Sequence, residues 1–409
     1  MHDAYDVEAV RAHFPALAEG AAHFDGPGGS QVPVEVAAAV SATLSAAVSN
    51  RGTLTPAARR ADDIVQGARA AMADLLGADA RGIVFGRSMT SLTFDFARTL
   101  AKTWNPGDEV VVTRLDHDGN IRPWTLAAAE RGVTVRWAEF DPMTGELGLD
   151  DIRKVLGPRT RLVAVTAASN LIGTRPDIEA IAGLVHEQGA LLYVDAVHAA
   201  AHSPLDLATS GADFLVCSPY KFFGPHCGVL AARPDTLEGL QPDKLLPSTD
   251  AVPERFELGT LPYELLAGCT AAVDFIAGFS AHHAGRRSRL RSAMGTIQRY
   301  EDGRRAELDT MLAGLPGVVS YSRASRRTPT LLIDVEHRSA AHASQFLAER
   351  GVNAPAGAFY AMEASRVLGL GDAGALRVGL APYTNASDID RLVDGITSFL
   401  RTARQDAPA

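Results

Sequence analysis

The sequence has little cysteine, few aromatic residues and no excess of basic charge. Its 409 residues include 3 cysteines, too few for a disulfide framework and without the CxxC spacing of a metal site, so a reducing cytoplasm fits best. Aromatic residues make up 6%, and 39 basic against 48 acidic side chains give a formal net charge of -9. This balance gives no electrostatic reason to expect nucleic-acid binding.

Long apolar segments are also missing. No run approaches the about 18 consecutive apolar residues of a transmembrane helix. The N-terminal MHDAYDVEAVRAHF carries charges where a signal peptide needs an apolar core. The sequence therefore supports neither membrane spanning nor secretion.

Up to residue 280, alanine-rich helical stretches alternate with short β-rich runs. The pattern predicts helices over 34–48, 57–76 and 177–188. It predicts strands over 83–85, 110–113, 162–166, 191–194, Phe214–Cys217 and 228–231. Because these apolar runs are continuous, both faces of the strands should be covered, which favours an α/β domain with a mostly parallel sheet.

The pattern changes after residue 275. Residues 286–311 predict one long helix, whose many charges we interpret as a solvated face. Strands over 328–335 and 375–380 and helices over 340–350 and 387–401 predict a smaller α+β domain. We expect four parts. Residues 1–25 form an N-terminal segment that packs near the small domain, and residues 26–283 form a large α/β domain. Residues 284–312 form a connecting helix, and residues 313–409 form a small C-terminal α+β domain.

Two polar residues follow buried strands, where ligands bind in an open α/β sheet. LLYVD places Asp195 at the end of one strand, and FLVCSPYK places Lys221 just past another. Pyridoxal phosphate needs a carboxylate to keep its ring nitrogen protonated and a lysine to form a Schiff base with its aldehyde. An isolated aspartate is more often a helix cap and an isolated lysine a surface residue. A cofactor role for Asp195 and Lys221 therefore depends on the surrounding sequence.

That surrounding sequence resembles the class V aminotransferase family of fold-type I pyridoxal-phosphate enzymes, and within it the cysteine desulfurase-like branch. The similar blocks include TRLDHDGNIRPW, AASNLIGT, YVDAVHA, SPYKFFGP and FELGTLP, in the family order. The resemblance extends from FDGPGGSQVP at residue 24 to LRVGLAPYTNASDIDRLV at residue 376. It implies a mostly parallel seven-stranded sheet in the large domain, a smaller C-terminal domain and pyridoxal 5'-phosphate as cofactor.

The resemblance also implies roles for residues around the cofactor ring. Lys221 would carry the cofactor as a Schiff base and act as the catalytic base, and Asp195 would pair with the pyridinium nitrogen. His117 would stack on the ring. Asn170 would contact the phenolic oxygen, as would His198, which stands where desulfurases commonly have glutamine.

Phosphate binding rests partly on local physics. VFGRSMTSLTF passes from a strand into a helix, so the amides of Met89 and Thr90 should lie at a helix N-terminus, which favours a dianion. An ordinary serine or threonine N-cap would give the same pattern. The resemblance implies Ser218 as a second phosphate ligand. It further implies that Thr260 reaches the phosphate of the neighbouring subunit, which predicts a homodimer with shared active sites.

The substrate end is defined by resemblance alone. Arg377 matches the arginine that binds the substrate α-carboxylate, and a planar guanidinium suits that role. Gly28 and Gly29, in the GPGG turn, should border the substrate cavity with their backbone. Tyr220 stands where desulfurases usually have a histidine, and its role stays open.

The segment that precedes Arg377, GVNAPAGAFYAMEASRVLGLGDAGALR, contains no cysteine, although desulfurases carry their persulfide-forming cysteine there. Nucleophilic capture of sulfur needs a mobile thiolate. The preferred prediction is therefore β-elimination at the C–S bond of a cysteine-derived substrate. Transamination, epimerisation, and decarboxylative or oxidative chemistry on a modified amino acid remain alternatives within the family, and a catalytically inactive α/β binding protein is the alternative outside it.

Overall fold

The strands of the protein are short and mostly apolar. The structure is a computed structural model that describes residues 5–280, 285–335 and 338–405. Its strands are β1 (Ala22–His23), β2 (Ile83–Gly86), β3 (Glu109–Thr113), β4 (Thr134–Ala138), β5 (Thr160–Thr166), β6 (Leu191–Asp195), β7 (Phe214–Cys217), β8 (Gly228–Ala232), β9 (Val318–Ser320), β10 (Thr330–Val335), β11 (Val352–Asn353), β12 (Ala356–Gly357) and β13 (Ala375–Gly379).

The helices range from one turn to 28 residues. They are α1 (Val7–Arg11), α2 (Val34–Ser45), α3 (Pro56–Leu76), α4 (Met89–Ala101), α5 (Arg122–Arg131), α6 (Leu149–Arg153), α7 (Ile178–Glu187), α8 (Leu207–Ser210), α9 (Pro234–Glu238), α10 (Tyr263–Gly278), α11 (Arg286–Ala313), α12 (Ala340–Ala348), α13 (Met362–Val367) and α14 (Ala386–Gln405). Within the described ranges, no helix is long and apolar enough to cross a membrane.

The large sheet has the strand order β2-β8-β7-β6-β5-β3-β4, in which β8 is antiparallel to its neighbours. Alternate residues of each central strand belong to two different apolar clusters. Val163 and Val165 of β5 pack on the face that α3 and α10 cover, whereas Leu162 and Ala164 pack on the face of α4 and α5. The mostly parallel seven-stranded sheet predicted from the sequence is confirmed, and its two covered faces explain the continuous apolar runs.

The register of the central strands brings three strand ends to one place. Thr166 at the end of β5 pairs with Asp195 at the end of β6, and Asp195 pairs with Val216 of β7. Asp195 therefore lies at the middle of the sheet's carboxyl edge, where open α/β sheets bind their ligands.

A second, antiparallel sheet has the order β12-β13-β10-β9, and α11 precedes it in the chain. The four-part domain division remains a prediction. Its boundary between residues 283 and 284, like residues 1–4 of the N-terminal segment, lies outside the described residues.

The N-terminal segment contacts the C-terminal part of the chain. Strand β1 pairs in parallel with β11, and the hydroxyl of Tyr5 donates to the carbonyl of Pro382 at 2.8 Å. Arg11 forms an ion pair of 2.6 Å with Asp388 on α14. The contacts of Tyr5 and Arg11 each join residues that are 377 positions apart in sequence.

Several features differ from the sequence expectations, and three of them bear on the architecture. Strand β4 was missed because it is an edge strand in which exposed residues alternate with partly buried ones up to the buried Ala138, so it has no continuous apolar run. Helix α14 continues past Arg401 to Gln405. The solvated-face interpretation of α11 is incomplete, because one face of this helix is buried and carries Glu301 at 1% exposure.

A buried ion pair ties the edge of the large sheet to the segment that leads to Thr260. Arg69 on α3 is 2% exposed, and its two terminal nitrogens donate hydrogen bonds of 2.8 and 2.9 Å to the Glu257 carboxylate. The same carboxylate accepts the backbone N–H of Phe85 in β2 at 2.8 Å. Strand β2 and the chain around Glu257 therefore depend on one charge pair.

Removing one partner of this pair should be costly. Arg69→Met would leave the Glu257 carboxylate buried without its cation, so we expect the free energy of unfolding to fall by about 3–5 kcal/mol in urea titrations followed by circular dichroism. Arg81→Met is the matched control, because Arg81 is 74% exposed in its ion pair with Asp79 and its loss should change stability little. Equal effects of the two substitutions would contradict the anchoring role.

Candidate active site

A cavity of about 620 Å³ lies at the carboxyl ends of β5, β6 and β7. It brings together the predicted site residues Gly28, Met89, Thr90, His117, Asn170, Asp195, His198, Ser218, Lys221 and Arg377. Gly29 and Thr260 are not among its lining residues. Gly29 packs behind the wall, where an added Cβ would lie 3.3 Å from the Tyr220 ring, and Thr260 is on an exposed bend.

Asp195 and Lys221 share the floor of this cavity. Asp195 is buried and accepts the N–H of Val197 at 2.9 Å, and burial raises its pKa to about 6 although the Lys221 cation opposes this. The Lys221 ammonium donates to the carbonyl of Pro27 and lies 4.8 Å from the centre of the Tyr220 ring. Burial and, second to it, the Arg377 cation lower the pKa of Lys221 to about 7, although the Asp195 carboxylate opposes both.

His117 is held neutral by its surroundings. Its Nδ1 accepts the N–H of Gly119 at 2.9 Å, which fixes the tautomer, and burial lowers its pKa to about 4. Beside it lies Asp116, a fully buried carboxyl that the sequence interpretation missed. Asn120 donates to Asp116 at 2.7 Å and accepts from Trp124 at 3.1 Å, so this network fixes the turn that carries His117.

His198 belongs to a buried polar chain that extends away from the cavity. Its Nε2 lies 2.9 Å and 3.0 Å from the hydroxyls of Thr330 and Thr328, and its ring meets the edge of His202 with centres 4.8 Å apart. His202 Nδ1 is 3.0 Å from Glu301 of α11. Burial lowers the pKa of His198 well below its ordinary value, so its ring is neutral.

Arg377 and Asn170 meet at the opposite wall. Arg377 donates to the backbone carbonyl of Asn170 at 3.0 Å, and Asn170 donates through Nδ2 to the carbonyl of Phe359 at 2.9 Å. Burial lowers the pKa of Arg377 to about 9, so it stays cationic at neutral pH. Among the described residues, the buried Asn170 Oδ1 and Arg377 Nε have no hydrogen-bond partner.

The start of helix α4 forms a third wall. Ser88 caps this helix by accepting the N–H of Ser91 at 3.1 Å, so the expected N-cap is present, and the next residues, Met89 and Thr90, face the cavity. Ser218 lines the cavity from the turn after β7. A helix N-terminus next to hydroxyl groups is suited to a phosphate.

Pyridoxal phosphate, the cofactor expected from the sequence, fits this arrangement. A buried carboxylate and a lysine with a lowered pKa are the donor set that its ring nitrogen and aldehyde require. The unpartnered Asn170 Oδ1 is available to a ligand group, and the first turn of α4 suits the phosphate. The wall beside His117 is closely fitted, since a Cβ at Gly119 would lie 2.9 Å from His117 Nδ1.

None of the three thiols lines this cavity. Cys217, Cys227 and Cys269 are all buried, and none is a lining residue. Cys227 Sγ lies 3.2 Å from Cys269 Sγ, so it packs against another thiol. No group of histidine, cysteine, aspartate or glutamate side chains suited to a metal ion occurs within residues 5–280, 285–335 and 338–405.

Comparison with known proteins identifies relatives along nearly the whole chain. The family model described as aminotransferase class-V matches residues 22–392. An uncharacterized protein, MT3887, of Mycobacterium tuberculosis is 34% identical over 97% of this chain and 100% of its own. A probable cysteine desulfurase of Pseudomonas aeruginosa is 30% identical over 96% and 98%. The solved cysteine desulfurase CsdA of Escherichia coli has a TM-score of 0.86, 25% identity and coverage of 98% and 100%.

The lowered pKa of Lys221 gives a direct test of the cavity in the cofactor-free protein. The reaction of its amine with acetic anhydride should reach half of its maximal rate near pH 7, and not near the ordinary lysine pKa of 10.5, because burial and Arg377 disfavour the cation. Mass spectrometry would follow acetylation at each pH. Lys154 is the internal control, since its ion pair with Asp151 raises its pKa.

Arg377→Gln would remove a neighbouring cation and should move the Lys221 midpoint upward. A midpoint near 10.5 in the unmodified protein, or one that Arg377→Gln does not move, would be incompatible with the described geometry.

Proposed function

Because the chain belongs to the class-V aminotransferase family, we propose that it is a carbon–sulfur lyase that cleaves a cysteine-derived amino acid by β-elimination. Members of this family use pyridoxal phosphate to act on amino acids, and this coarser description applies to the chain. Elimination at a C–S bond is the finer proposal. The observation that carries it is a desulfurase-like cavity with no thiol in its wall.

Residues of this chain would hold the cofactor as follows. Lys221 would bind its aldehyde carbon, Asp195 its ring nitrogen and His117 its ring face. Asn170 and His198 would lie towards its phenolic oxygen. Its phosphate would be bound by the start of α4, at Met89 and Thr90, and by Ser218.

When bound, the cofactor withdraws electrons from the substrate's Cα and so makes the Cα proton removable. Arg377 would hold the substrate carboxylate with its guanidinium. Lys221, whose pKa of about 7 lets its amine be neutral near neutral pH, would take the Cα proton. Because His117 is neutral, it would add no positive charge to that of Arg377.

The overall conversion balances without an oxidant or reductant. The Cα–H and Cβ–S bonds break, the sulfur leaves as a thiol or as sulfide, and the proton from Cα is available to it. Water then hydrolyses the released three-carbon enamine to pyruvate and ammonium. A persulfide route would need a thiolate in the cavity. Burial raises the pKa of Cys217 well above the ordinary value, and the contact with Cys227, together with burial, does the same for Cys269.

Purified enzyme incubated with S-methyl-L-cysteine or L-cysteine should release pyruvate and thiol or sulfide in equal amounts. Lys221→Ala should lower turnover by about 10²–10⁴-fold, since it removes the proton acceptor, whereas the exposed Lys154→Ala should not. Borohydride should attach the pyridoxyl group to Lys221. Accumulation of keto acid with the C–S bond intact would instead favour transamination.

Sulfur released from the substrate should not be transferred to the protein's own thiols. A variant with Cys217, Cys227 and Cys269 all replaced by alanine should keep its chemical step, within losses from disturbed packing. Intact-protein mass spectrometry should find no sulfur adduct that is transferred to product. Such an adduct, lost together with activity when Cys227 is replaced, would favour a desulfurase over a lyase.

We also propose a homodimer in which Thr260 completes the partner's phosphate site. The proposal is supported by the position of Thr260, which is exposed and outside the cavity of its own chain, next to Leu258 at 60% exposure. The Arg69–Glu257 pair would hold this segment in place for the partner.

Mixed dimers test this proposal. Thr260→Ala alone should weaken cofactor binding. In a hybrid with Lys221→Ala subunits, one of the two sites would regain both native residues, so tight cofactor binding should return to about half of the hybrid sites, as titration would measure. Unchanged cofactor affinity in Thr260→Ala, or a fully active monomer in sedimentation, would refute shared sites.

A further inference from the structure

Two consecutive aromatic residues at the cavity mouth have an unfavourable backbone conformation. Phe359 and Tyr360 have φ values of 51° and 58°, in the left-handed region that bulky residues rarely adopt. Such a conformation costs free energy and persists only where surrounding contacts hold it, which is why it is often found at functional sites. These residues lie in the segment that the desulfurase resemblance associates with the persulfide cysteine.

Contacts from cavity residues hold this strained turn. Asn170 donates to the carbonyl of Phe359 at 2.9 Å, and the N–H of Asp118 donates to the carbonyl of Tyr360 at 2.7 Å. The Phe359 ring covers the guanidinium of Arg377, with 3.6 Å between the ring centre and Cζ. The turn is therefore fastened to the same residues that would bind cofactor and substrate.

The strained backbone presents both rings to the cavity. Tyr360 is 73% exposed, yet it lines the cavity, and its ring centre is 5.5 Å from that of His117. Phe94 of α4 lines the same cavity. Arg377 is only 3% exposed, whereas Tyr360 lies at the open side of the cavity, so a substrate whose carboxylate reaches Arg377 would extend its far end towards Tyr360.

The charged groups at the mouth neutralise each other. Asp118 and Arg122 line the cavity and form an ion pair of 3.1 Å. A charged group on the substrate would meet an Asp118 or Arg122 side chain that is already in an ion pair. An apolar group would instead cover the exposed Tyr360 ring, and burying this apolar surface would favour binding.

We propose that Phe94, Phe359 and Tyr360 form an aromatic clamp that binds an apolar, preferably aromatic, group carried on the substrate's sulfur. This inference rests on the proposed lyase function and makes its substrate class narrower: thioether conjugates of L-cysteine with an aromatic substituent. Free cysteine would leave the clamp empty.

Binding of sulfur-free analogues tests the clamp separately from the chemistry. L-Norvaline, L-2-amino-5-phenylpentanoate and L-2-aminoadipate copy the shapes of S-methyl-, S-benzyl- and S-carboxymethyl-L-cysteine but contain no sulfur leaving group. Dissociation constants would be measured on the holoenzyme from the change in cofactor absorbance. The phenyl analogue should bind at least about tenfold more tightly than the other two.

Variants identify the source of that preference. Tyr360→Ala and Phe94→Ala should each remove most of it, whereas Tyr360→Phe should keep it, because the ring and not the hydroxyl makes the contact. Tyr321→Ala, a tyrosine outside the cavity lining, is the matched control. Equal affinity for the three analogues, or a preference that survives both Tyr360→Ala and Phe94→Ala, would overturn the clamp.

The conjugates themselves report on the lyase function independently. Release of pyruvate and phenylmethanethiol from S-benzyl-L-cysteine, with a kcat/KM higher than for S-methyl-L-cysteine, would support clamp and function together. If the phenyl analogue binds as expected but no conjugate yields pyruvate, the lyase function fails and the narrowed substrate class fails with it. If conjugates are cleaved without preference, the clamp fails while the lyase function stands.

Discussion

Two basic groups, the Lys221 amine and the buried Arg377 guanidinium, share one cavity with the buried carboxylate of Asp195. The Arg377 cation disfavours the charged form of Lys221, whereas Lys221 and Asp195 each favour the charged form of the other. Burial strengthens these effects because little water screens them. His117 and His198 are neutral, so the cavity carries an excess of positive charge. Such a site favours anionic ligands, which agrees with a family whose cofactor carries a phosphate and whose substrates carry a carboxylate.

This charge arrangement also constrains the neighbouring polar groups. Burial raises the pKa of Asp116 to about 8, so this carboxyl is largely protonated at neutral pH and leaves Asp195 as the ionised member of the pair. The hydrogen bonds from Thr113 and Asn120 keep Asp116 in place despite its lost charge. The turn before His117 thus provides rigidity without adding a second buried anion.

The sequence predicted those parts of the structure that depend on local pattern. Continuous apolar runs indicated the central strands, and the residues directly after them, Asp195 and Lys221, were found in the cavity. The His202–Glu301 contact joins residues 99 positions apart, and Glu301 lies in a charged helix whose pattern favours solvent. The clamp was missed for another reason, since nothing local to Phe359 and Tyr360 predicts a left-handed backbone.

The pairing of β1 with β11 has a consequence for how the chain is made. His23 and Asn353 are 330 positions apart, and Tyr5 meets Pro382 at a separation of 377. During synthesis, β1 leaves the ribosome long before β11 has been made. Strand β1 therefore stays without its pairing strand while the strands of the large sheet are synthesised. Closing so long a loop is slow. We therefore expect the segment that contains β1 to dock late in folding, and a chaperone would have a correspondingly long time to bind it.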